Sequence, residues 1–487
     1  MAKNIMIQGT MSNAGKSVIA AALCRIFMKD GLRAAPFKSQ NMSLNSFVTA
    51  DGGEMGRAQA VQAEAAGILP DVRMNPILLK PTTDMGSQII VGGRVRGNMR
   101  AADYYKYKKS LIPDIMAAYE SLASEYDVIV IEGAGSPAEI NLNADDIVNM
   151  GLAHMVNAPV LLTGDIDRGG VFAQLYGTVE LLSREDRARV KGLIVNKFRG
   201  DRAILEPGIS MLENLCRVPV AGVIPYMNID VDDEDSLTER FSKNTVRRLI
   251  DIAVVRLPRI SNFTDFSPFE RLKNVSLRYV GRARELEGAD MIIIPGTKST
   301  LSDLKWMRER GLFDAVKTAA AAGTPVLGIC GGYQMLGRSI TDPQGAESKA
   351  ASSARGMELL DIDTVFHDKK TQTQTRGVFH SVEGIFSPLN GLSYEGYEIH
   401  MGRSEKPLPP FFGKGNVYGT YIHGIFDADG VCECVLRALC EKKGVTFESA
   451  ARFDAAEYKN RQYDLLSDTV RKNLDMGLIY RILNGEA

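Results

Sequence analysis

Residues 325–336 read PVLGICGGYQML, which predicts a short strand, a sharp turn and the start of a helix. Gly328 and Gly332 flank Cys330, and residues without a Cβ atom let the backbone turn tightly there. The turn places the Cys330 thiol at a helix N-terminus, where the helix dipole favours the thiolate. A small buried cysteine beside a glycine-rich turn is the structural alternative. The Gly-x-Cys-x-Gly pattern at a strand-to-helix junction favours a nucleophile.

The composition is that of a globular protein with more than one domain. The chain has 487 residues, of which 45% are hydrophobic and 24% are charged, so it is too long for one ordinary core. Its 58 basic and 59 acidic residues give a net charge of -1, which leaves no basic footprint for nucleic acid. The 6 cysteines include no CxxC pair, which argues against disulfides and structural zinc.

No apolar run in the sequence reaches the length of a membrane span, so no membrane partner is expected. The first residues, MAKNIMIQGT, enter a strand-like pattern at once and lack the pattern of a signal peptide. A cytoplasmic location is therefore expected.

A phosphate-binding loop is predicted directly after the first strand, residues 4–7. Residues 9–17, GTMSNAGKS, follow this strand and lead into a helical pattern. Lys16 would neutralise the β and γ phosphates and the Ser17 hydroxyl would ligate Mg²⁺. Five residues, not the standard four, separate the two glycines, and a turn with an exposed lysine is the alternative. The strand-loop-helix context favours a nucleotide, with these candidate binding residues: Gly9, Thr10, Asn13, Gly15, Lys16 and Ser17.

Polar residues follow two further predicted strands, where open α/β sheets bind ligands. Residues 33–38 lead into the polar run 39–45, which is either a substrate or phosphate wall or a solvated loop. Lys38, Gln40 and Asn41 are the candidates in it. The strand at residues 127–131 ends at Glu132, and a carboxylate there faces the phosphate loop. Glu132 is therefore a candidate metal ligand together with Ser17.

Three more positions in this half carry candidate roles. Asp146 stands at the predicted start of a helix, where capping and a functional role both remain open. Asp165 follows the strand at residues 160–163 and resembles the second carboxylate of a nucleotide site. Asn196 follows the strand at residues 192–195 and can read a purine base. Strands that alternate with helices in this way predict a doubly wound parallel sheet.

A second series of strands begins after the charged run at residues 230–244, which we interpret as a linker. These strands are predicted at residues 250–257, 276–280, 291–294 and 324–327. PGTKST follows the third of them, and Gly296 in it is either a simple turn residue or a donor of its N–H to an oxyanion. Residues 341–356 are small and polar, which suits a lid and a plain insertion equally well.

A thiol nucleophile needs a base, and the chain has 5 histidines. They are His154, His367, His380, His400 and His423. His423 lies at the end of a late strand in YIHG, and His400, in YEIHMGRS, is its rival.

These motifs carry a family resemblance. Gly328-x-Cys330-x-Gly332-x-Gln334, with PGTKST before it and YIHG after it, resembles the class I glutamine amidotransferase domain. GTMSNAGKS, EGAGS and VNKF resemble the dethiobiotin synthetase branch of phosphate-loop proteins. Their order, together with FKSQNMSLNS, EINL, DIVNMG and DIDRGGVF, closely resembles the cobyric acid synthase family of cobalamin biosynthesis, over nearly the whole chain.

The resemblance implies two α/β doubly wound domains and a tail. Residues 1–232 would form a P-loop synthetase domain that binds ATP and a corrinoid, and residues 249–444 a class I glutamine amidotransferase domain. Residues 445–487 would form a helical tail.

The resemblance also implies roles for single residues. Cys330 would be the glutaminase nucleophile and His423 its base. Ile425 stands where many class I domains have a glutamate, which implies a Cys-His pair without a third member. Gly296 and Gln334 would contact glutamine or its intermediate, and Asp146 would orient the corrinoid carboxylate.

The implied reaction uses ATP, Mg²⁺ and glutamine. ATP would phosphorylate a peripheral carboxylate of adenosylcobyrinic acid a,c-diamide, and ammonia from glutamine would convert the acyl phosphate to an amide. The family repeats this at the b, d, e and g side chains. Alternatives are a related amidotransferase, such as a cobyrinic acid a,c-diamide synthase or an isoglutaminyl amidase, and a partitioning-type ATPase switch, which would leave Cys330 and His423 without work.

Overall fold

The computed structural model describes residues 2–83, 85–231, 246–347, 350–404, 408–447 and 455–486. The predicted linker at residues 230–244 lies outside the described residues from 232 onward, and the predicted tail does so at 448–454 and 487. Among the described helices, none combines the length and the apolar character needed to cross a membrane.

The N-terminal half is built on one parallel sheet with helices on both faces. Its strands are β1 (Lys3–Gly9), β2 (Ala34–Phe37), β3 (Gln40–Met42), β4 (Ser46–Val48), β5 (Glu54–Gly56), β6 (Ile77–Thr83), β7 (Gly86–Val91), β8 (Arg94–Arg100), β9 (Val128–Glu132), β10 (Val160–Asp165), β11 (Val190–Phe198) and β12 (Val220–Pro225). Its helices are α1 (Lys16–Lys29), α2 (Arg57–Ala65), α3 (Ala101–Tyr107), α4 (Ile112–Glu125), α5 (Met150–Met155), α6 (Val171–Leu181), α7 (Arg184–Arg189) and α8 (Arg202–Cys216).

Six of these strands form the central sheet in the order β12-β11-β10-β1-β9-β2, and every neighbouring pair is parallel. The central strand β1 is buried on both faces. Met6 joins the core on one face, whereas Ile5 and Ile7 join the core on the other. Because all six strands run the same way, their carboxyl ends lie at one edge of the sheet. That edge carries Gly9, Glu132 and the candidates that follow β10 and β11.

Two small sheets lie between β2 and β9, and they were not predicted. The strands β3, β6, β7 and β8 form one of them, and β4 pairs with β5 to form the other. The predicted helix at residues 54–67 is shorter at its start, since Glu54 to Gly56 pair with β4 and the helix α2 begins at Arg57.

The C-terminal half contains a second parallel sheet and an unpredicted smaller one. Its strands are β13 (Ile250–Val255), β14 (Val275–Val280), β15 (Met291–Ile294), β16 (Val326–Ile329), β17 (Ser339–Asp342), β18 (Ser352–Arg355), β19 (Asp363–Val378), β20 (Ser393–Ser404), β21 (Phe412–Lys414), β22 (Val417–Thr420) and β23 (Ile422–His423). Its helices are α9 (Ser267–Glu270), α10 (Thr300–Glu309), α11 (Leu312–Ala321), α12 (Gly331–Leu336) and α13 (Val431–Lys443).

The larger sheet has the order β14-β13-β15-β16-β22-β21, with only β21 antiparallel to its neighbour. The smaller sheet has the order β18-β17-β19-β20-β23, and its long hairpin of β19 and β20 reaches the N-terminal half. Together with the first half, this arrangement confirms the predicted class of two α/β doubly wound units.

The described part of the tail packs back on the N-terminal half. It forms α14 (Ala455–Asn473) and α15 (Met476–Leu483). Leu466, Val470 and Ile479 share a buried core with Ile19 of α1. The tail thus covers one face of the first sheet, far along the chain from the strands it protects.

The two halves meet through contacts of β4, β5 and β20. The Ser46 amide donates to Asn262 Oδ1 at 3.1 Å, and the Tyr397 hydroxyl donates to the Ser46 carbonyl at 3.0 Å. Val48, Tyr397 and Ile399 form a small apolar cluster at the same place. The interface therefore combines buried hydrogen bonds with apolar packing.

Candidate functional site

The predicted phosphate loop closes around its lysine. Gly15 caps α1 with a φ of 96°, and a Cβ atom there would lie 2.0 Å from Asn196 Nδ2, so this position requires glycine. Lys16 Nζ donates to the carbonyl of Met11 at 2.9 Å and to that of Gly135 at 3.0 Å. The ammonium group therefore lies inside the loop that follows β1.

Glu132 lies at the tip of β9, fully buried, directly beside the loop. Its Oε1 atom accepts from the Ser17 hydroxyl at 2.7 Å and pairs with Lys38 Nζ at 2.9 Å. Its Oε2 atom accepts from the side-chain amides of Gln59 at 3.2 Å and Gln62 at 2.6 Å. The buried carboxylate is thus compensated by one cation and three neutral donors.

Gln59 and Gln62 are site residues that our sequence reasoning missed. They stand three residues apart on α2, and residues at that spacing share one face of a helix. The signal was present, because two glutamines at this spacing interrupt an alanine-rich helix.

The oxygen donors at Ser17 and Glu132 fit a magnesium ion, which prefers hard oxygen ligands. Within the described residues no group of three or more His, Cys, Asp and Glu side chains could hold a metal ion. Magnesium commonly binds through one or two protein oxygens, waters and substrate phosphates, so the small donor set is compatible with it.

Asn196 and Asp165 lie at the same sheet edge. Asn196 Nδ2 donates to the Ala14 carbonyl at 2.9 Å, so the side chain braces the phosphate loop. Asp165 is buried and pairs with Lys197 Nζ at 2.8 Å. Lys197 also donates to the Asn13 carbonyl at 2.8 Å, which ties both side chains to the loop. The Thr10 hydroxyl, in turn, donates to Gln174.

The candidates that follow β2 separate into different environments. Lys38 contacts Glu132, and Asn41 Nδ2 donates to Gln59 Oε1 at 2.9 Å, so both belong to the buried group around Glu132. Gln40 instead accepts from the Tyr104 hydroxyl.

Asp146 caps the start of α5. Its carboxylate accepts from the amides of Val148 at 2.8 Å, Asn149 at 3.0 Å and Gly151 at 3.0 Å. These bonds match the ordinary role of an aspartate before a helix.

In the C-terminal half, Cys330 sits on a strained turn between β16 and α12. Its φ of 50° and ψ of -107° fall outside the regions that most residues adopt. A Cβ atom at Gly332 would lie 2.0 Å from the Ile294 carbonyl oxygen, and one at Gly328 would lie 2.6 Å from the backbone of Tyr333. The two glycines are therefore required for this turn, as predicted from PVLGICGGYQML.

His423 is the histidine that faces Cys330, and it has a carboxylate partner. Its Nδ1 atom lies 2.7 Å from Asp265 Oδ2, and all of its side chain is buried. The Asp265 Oδ1 atom accepts from the Gly424 amide at 2.9 Å, which fixes the carboxylate. Burial opposes the charged imidazole, but the charges and hydrogen bonds of Asp265 and then Cys330 outweigh it and raise the pKa of His423 to about 10.

The expected Cys-His pair without a third member is therefore wrong. Asp265 lies in a short 3-10 helix, Phe263–Phe266, 158 residues before the histidine. Ile425 excludes a carboxylate only at its own position, whereas the fold brings one from another element. The sequence offered a weak signal, a single aspartate among the aromatic residues of NFTDFSPF.

The rival histidine, His400, lines the same cavity as Cys330. Both of its ring nitrogens have partners, the Gly402 carbonyl at 2.7 Å and Glu398 at 3.1 Å. Its ring stacks on that of Tyr421 with centroids 4.1 Å apart. His400 therefore forms part of the cavity wall.

Gly296 and Gln334 both lie beside Cys330 and His423. A Cβ atom at Gly296 would lie 3.0 Å from His423 Cε1. Gln334 is buried on α12, where it accepts from the Thr300 hydroxyl at 3.2 Å. The structure thus brings these two predicted residues together with Cys330.

The cavity at Cys330 lies where the two halves meet. Lys298 and Lys370 line it from the C-terminal half, and Lys80 lines it from the N-terminal half. Lys80 and Lys370 pair with the fully buried Glu54, and the Lys80 distance is 2.8 Å. Burial alone would raise the pKa of Glu54, but Lys370 and Lys80 hold it well below its usual range.

Two family descriptions match the chain. Residues 5–237 match the CobQ/CobB/MinD/ParA nucleotide binding domain. Residues 251–431 match the CobB/CobQ-like glutamine amidotransferase domain.

Several curated relatives match over their full length, and three of them carry the name cobyric acid synthase. The protein from Lachnoclostridium phytofermentans is 56% identical over 512 residues, covering 99% of each chain. The one from Ruminiclostridium cellulolyticum is 57% identical over 502 residues, covering 99% of this chain and 97% of the relative. The one from Listeria monocytogenes is 50% identical over 509 residues, covering 100% of this chain and 98% of the relative.

Proposed function

We propose, because this chain belongs to the cobyric acid synthase family, that it amidates the b, d, e and g carboxylates of adenosylcobyrinic acid a,c-diamide to give adenosylcobyric acid. The chain is a glutamine-dependent amide ligase with a nucleotide-binding domain. ATP is the nucleotide in this proposal, and glutamine is the nitrogen donor.

The observation that carries the proposal is the shared cavity. Cys330, which suits ammonia production, lines the same cavity as Lys80 from the half that carries the phosphate loop. Ammonia released at the thiol would therefore form at the boundary between the halves. A partitioning-type ATPase switch would have no use for this arrangement.

Glutamine cleavage follows from the geometry around Cys330. The sulfur attacks the carboxamide carbon of glutamine and forms a thioester, while ammonia leaves. His423 takes the thiol proton on Nε2 and returns it to the leaving nitrogen, because Asp265 holds Nδ1. Backbone N–H groups next to the thiol, including that of Gly296, stabilise the oxyanion. Water then hydrolyses the thioester to glutamate.

Carboxylate activation takes place at the phosphate loop. A peripheral carboxylate of the corrinoid attacks the γ-phosphorus of ATP, which gives an acyl phosphate and ADP. Ammonia attacks the acyl carbon, and phosphate leaves. Lys16 neutralises charge on the transferred phosphoryl group, and Asn196 and Thr10 keep the loop in shape.

Ser17 and Glu132 would hold Mg²⁺, which supplies charge neutralisation at the phosphates. Lys38, Gln59 and Gln62 hold Glu132 in place. Asn41 supports Gln59 in turn.

Mass spectrometry of the corrinoid product tests this function directly. Purified protein is incubated with adenosylcobyrinic acid a,c-diamide, ATP, Mg²⁺ and glutamine, and each conversion of a carboxyl group to an amide is counted. Stepwise conversion at the b, d, e and g positions is expected. Parallel reactions contain cobyrinic acid or an isoglutamyl acceptor, and amidation of one of these instead of the a,c-diamide would reject the assigned substrate.

A further inference from the structure

One cation in the cavity at Cys330 has no partner of its own. Lys298 follows β15 in PGTKST, and its side chain lines the cavity. Within the described ranges, no ion pair or hydrogen bond reaches its Nζ atom. Cys330 and Glu347 lie close enough to influence its charge. Leaving an ammonium group largely buried without a partner is costly, which indicates an anionic ligand.

A carboxylate faces the same cavity from the loop after β17. Glu347 accepts from the amides of Thr300 at 2.6 Å and Leu301 at 2.9 Å, at the start of α10. Each carboxylate oxygen has a second lone pair, so Glu347 retains capacity for a cationic ligand. The loop that the sequence left open as a lid or an insertion therefore forms part of the cavity wall.

The other charged groups at the cavity are already compensated. Lys80 and Lys370 share Glu54, which also accepts from Gln372 at 3.0 Å. His400 pairs with Glu398. Lys298 and Glu347 are thus the cation and the anion with capacity for a ligand in the described part of this cavity.

We propose that Lys298 binds the α-carboxylate of glutamine and Glu347 binds its α-ammonium group, so that this pair selects a free amino acid as the nitrogen donor. The proposal rests on the proposed function, in which Cys330 cleaves glutamine. A zwitterion supplies one charge of each sign and compensates both side chains at once. A glutamine within a peptide lacks both charges and would leave both groups unpaired, which disfavours its binding.

The charge state of Lys298 suits this role. Burial, followed by the neighbouring Lys80, lowers its pKa to about 8, so the group is still mostly protonated at pH 7. Burial raises the pKa of Glu347, whereas the two backbone amides and Lys298 favour its ionised form.

Labelling of Cys330 by 6-diazo-5-oxo-L-norleucine tests the proposal without ATP or corrinoid. This reagent carries the amino acid head group of glutamine and alkylates the thiol with loss of N₂, whereas iodoacetamide alkylates the same thiol and lacks the head group. Rates are measured by intact-protein mass spectrometry over a range of reagent concentrations. Failure of the diazo reagent to label the wild-type protein would instead count against the glutaminase role of Cys330.

Lys298→Met and Glu347→Gln are each expected to raise the inhibition constant of the diazo reagent by about 10- to 100-fold, the loss typical of a hydrogen bond to a charged group. The maximal labelling rate and the iodoacetamide rate should stay unchanged. Lys305→Met, which removes an exposed lysine from α10, is the matched control. An unchanged inhibition constant, or equal slowing of both reagents, would overturn the proposal.

A second measurement uses the wild-type protein and changes the donor instead. Glutaramate lacks the α-ammonium group and 4-aminobutanamide lacks the α-carboxylate, and each should be hydrolysed with a kcat/KM at least about tenfold below that of L-glutamine. Lys298→Met should have no further effect on 4-aminobutanamide, and Glu347→Gln none on glutaramate. Equal use of all three donors by the wild type would reject the assigned contacts.

Discussion

His423 Nδ1 lies 2.7 Å from Asp265 Oδ2, in a site where both side chains are buried. The contact joins the end of β23 to a 3-10 helix that stands 158 residues earlier in the chain. Because Asp265 holds Nδ1, it fixes which ring nitrogen faces Cys330. The base of the proposed glutaminase is therefore oriented by a residue far away in sequence.

Asp265→Asn should lower glutamine hydrolysis by roughly 10²-fold, within the range for a disturbed general base. The asparagine keeps the size of the side chain but removes the charge that stabilises the imidazolium. Ammonium-driven amidation should be unchanged, because it bypasses Cys330. Glutamate release and amide formation are measured side by side, with the exposed Asp314→Asn as the control. Equal loss of both activities would contradict an orienting role confined to His423.

The same substitution should change how stability depends on pH. The pKa of His423 is raised from 6.5 to about 10, so the stability gained from protonated His423 is fully present below pH 6.5 and is lost as the pH rises through about 10. The difference in free energy of unfolding between wild type and Asp265→Asn should be about 3 kcal/mol below pH 6.5 and should shrink toward pH 10. Urea denaturation at several pH values measures it, and a difference independent of pH would refute the assignment.

Cys330→Ala should abolish glutamine-dependent amidation yet leave ammonium-driven amidation intact, because the thiol only supplies ammonia. Both rates are followed by mass spectrometry of the corrinoid. Cys434→Ala, which removes a half-buried thiol from α13, should leave both rates unchanged. Loss of the ammonium-driven reaction in Cys330→Ala would show that the thiol has another role.

Lys16→Ala should depress both the glutamine and the ammonium routes by about 10²-fold or more, since each route needs the acyl phosphate. Glutamine hydrolysis measured alone should remain. ADP and glutamate are quantified in the same samples, with Lys191→Ala at the opposite end of β11 as the control. Full ammonium-driven activity in Lys16→Ala would exclude Lys16 from the phosphate site.

Glu54→Gln should lower the free energy of unfolding by about 3 to 5 kcal/mol, because it leaves Lys80 and Lys370 buried without a carboxylate. It should also raise the ratio of glutamate released to amide formed, since the halves would no longer be held together at the cavity. Urea denaturation and product ratios measure the two effects, with the exposed Glu383→Gln as the control.

A double variant makes this last prediction sharper. Adding Lys370→Met to Glu54→Gln removes one of the unpaired cations, so part of the lost stability should return. Further destabilisation by the second substitution would show that Lys370 contributes through packing and not through its charge.

Local sequence patterns predicted much of both sheets and the two reactive turns. Gly328 and Gly332 can be recognised around Cys330 because only residues without a Cβ atom fit that turn. Lys16 and Ser17 can be recognised because a phosphate loop is a continuous segment between a strand and a helix. The family, too, followed from the order of short motifs, and the full-length relatives confirm it.

The tertiary structure alone decided which distant side chains complete each site. Asp265 reaches His423, Gln59 and Gln62 reach Glu132, and Glu54 reaches Lys370 across the boundary between the halves. No local spacing encodes these contacts, because they depend on how whole strands and helices pack. The sequence by itself therefore determined the reactive loops and the family, whereas packing determined the partners that hold their side chains in place.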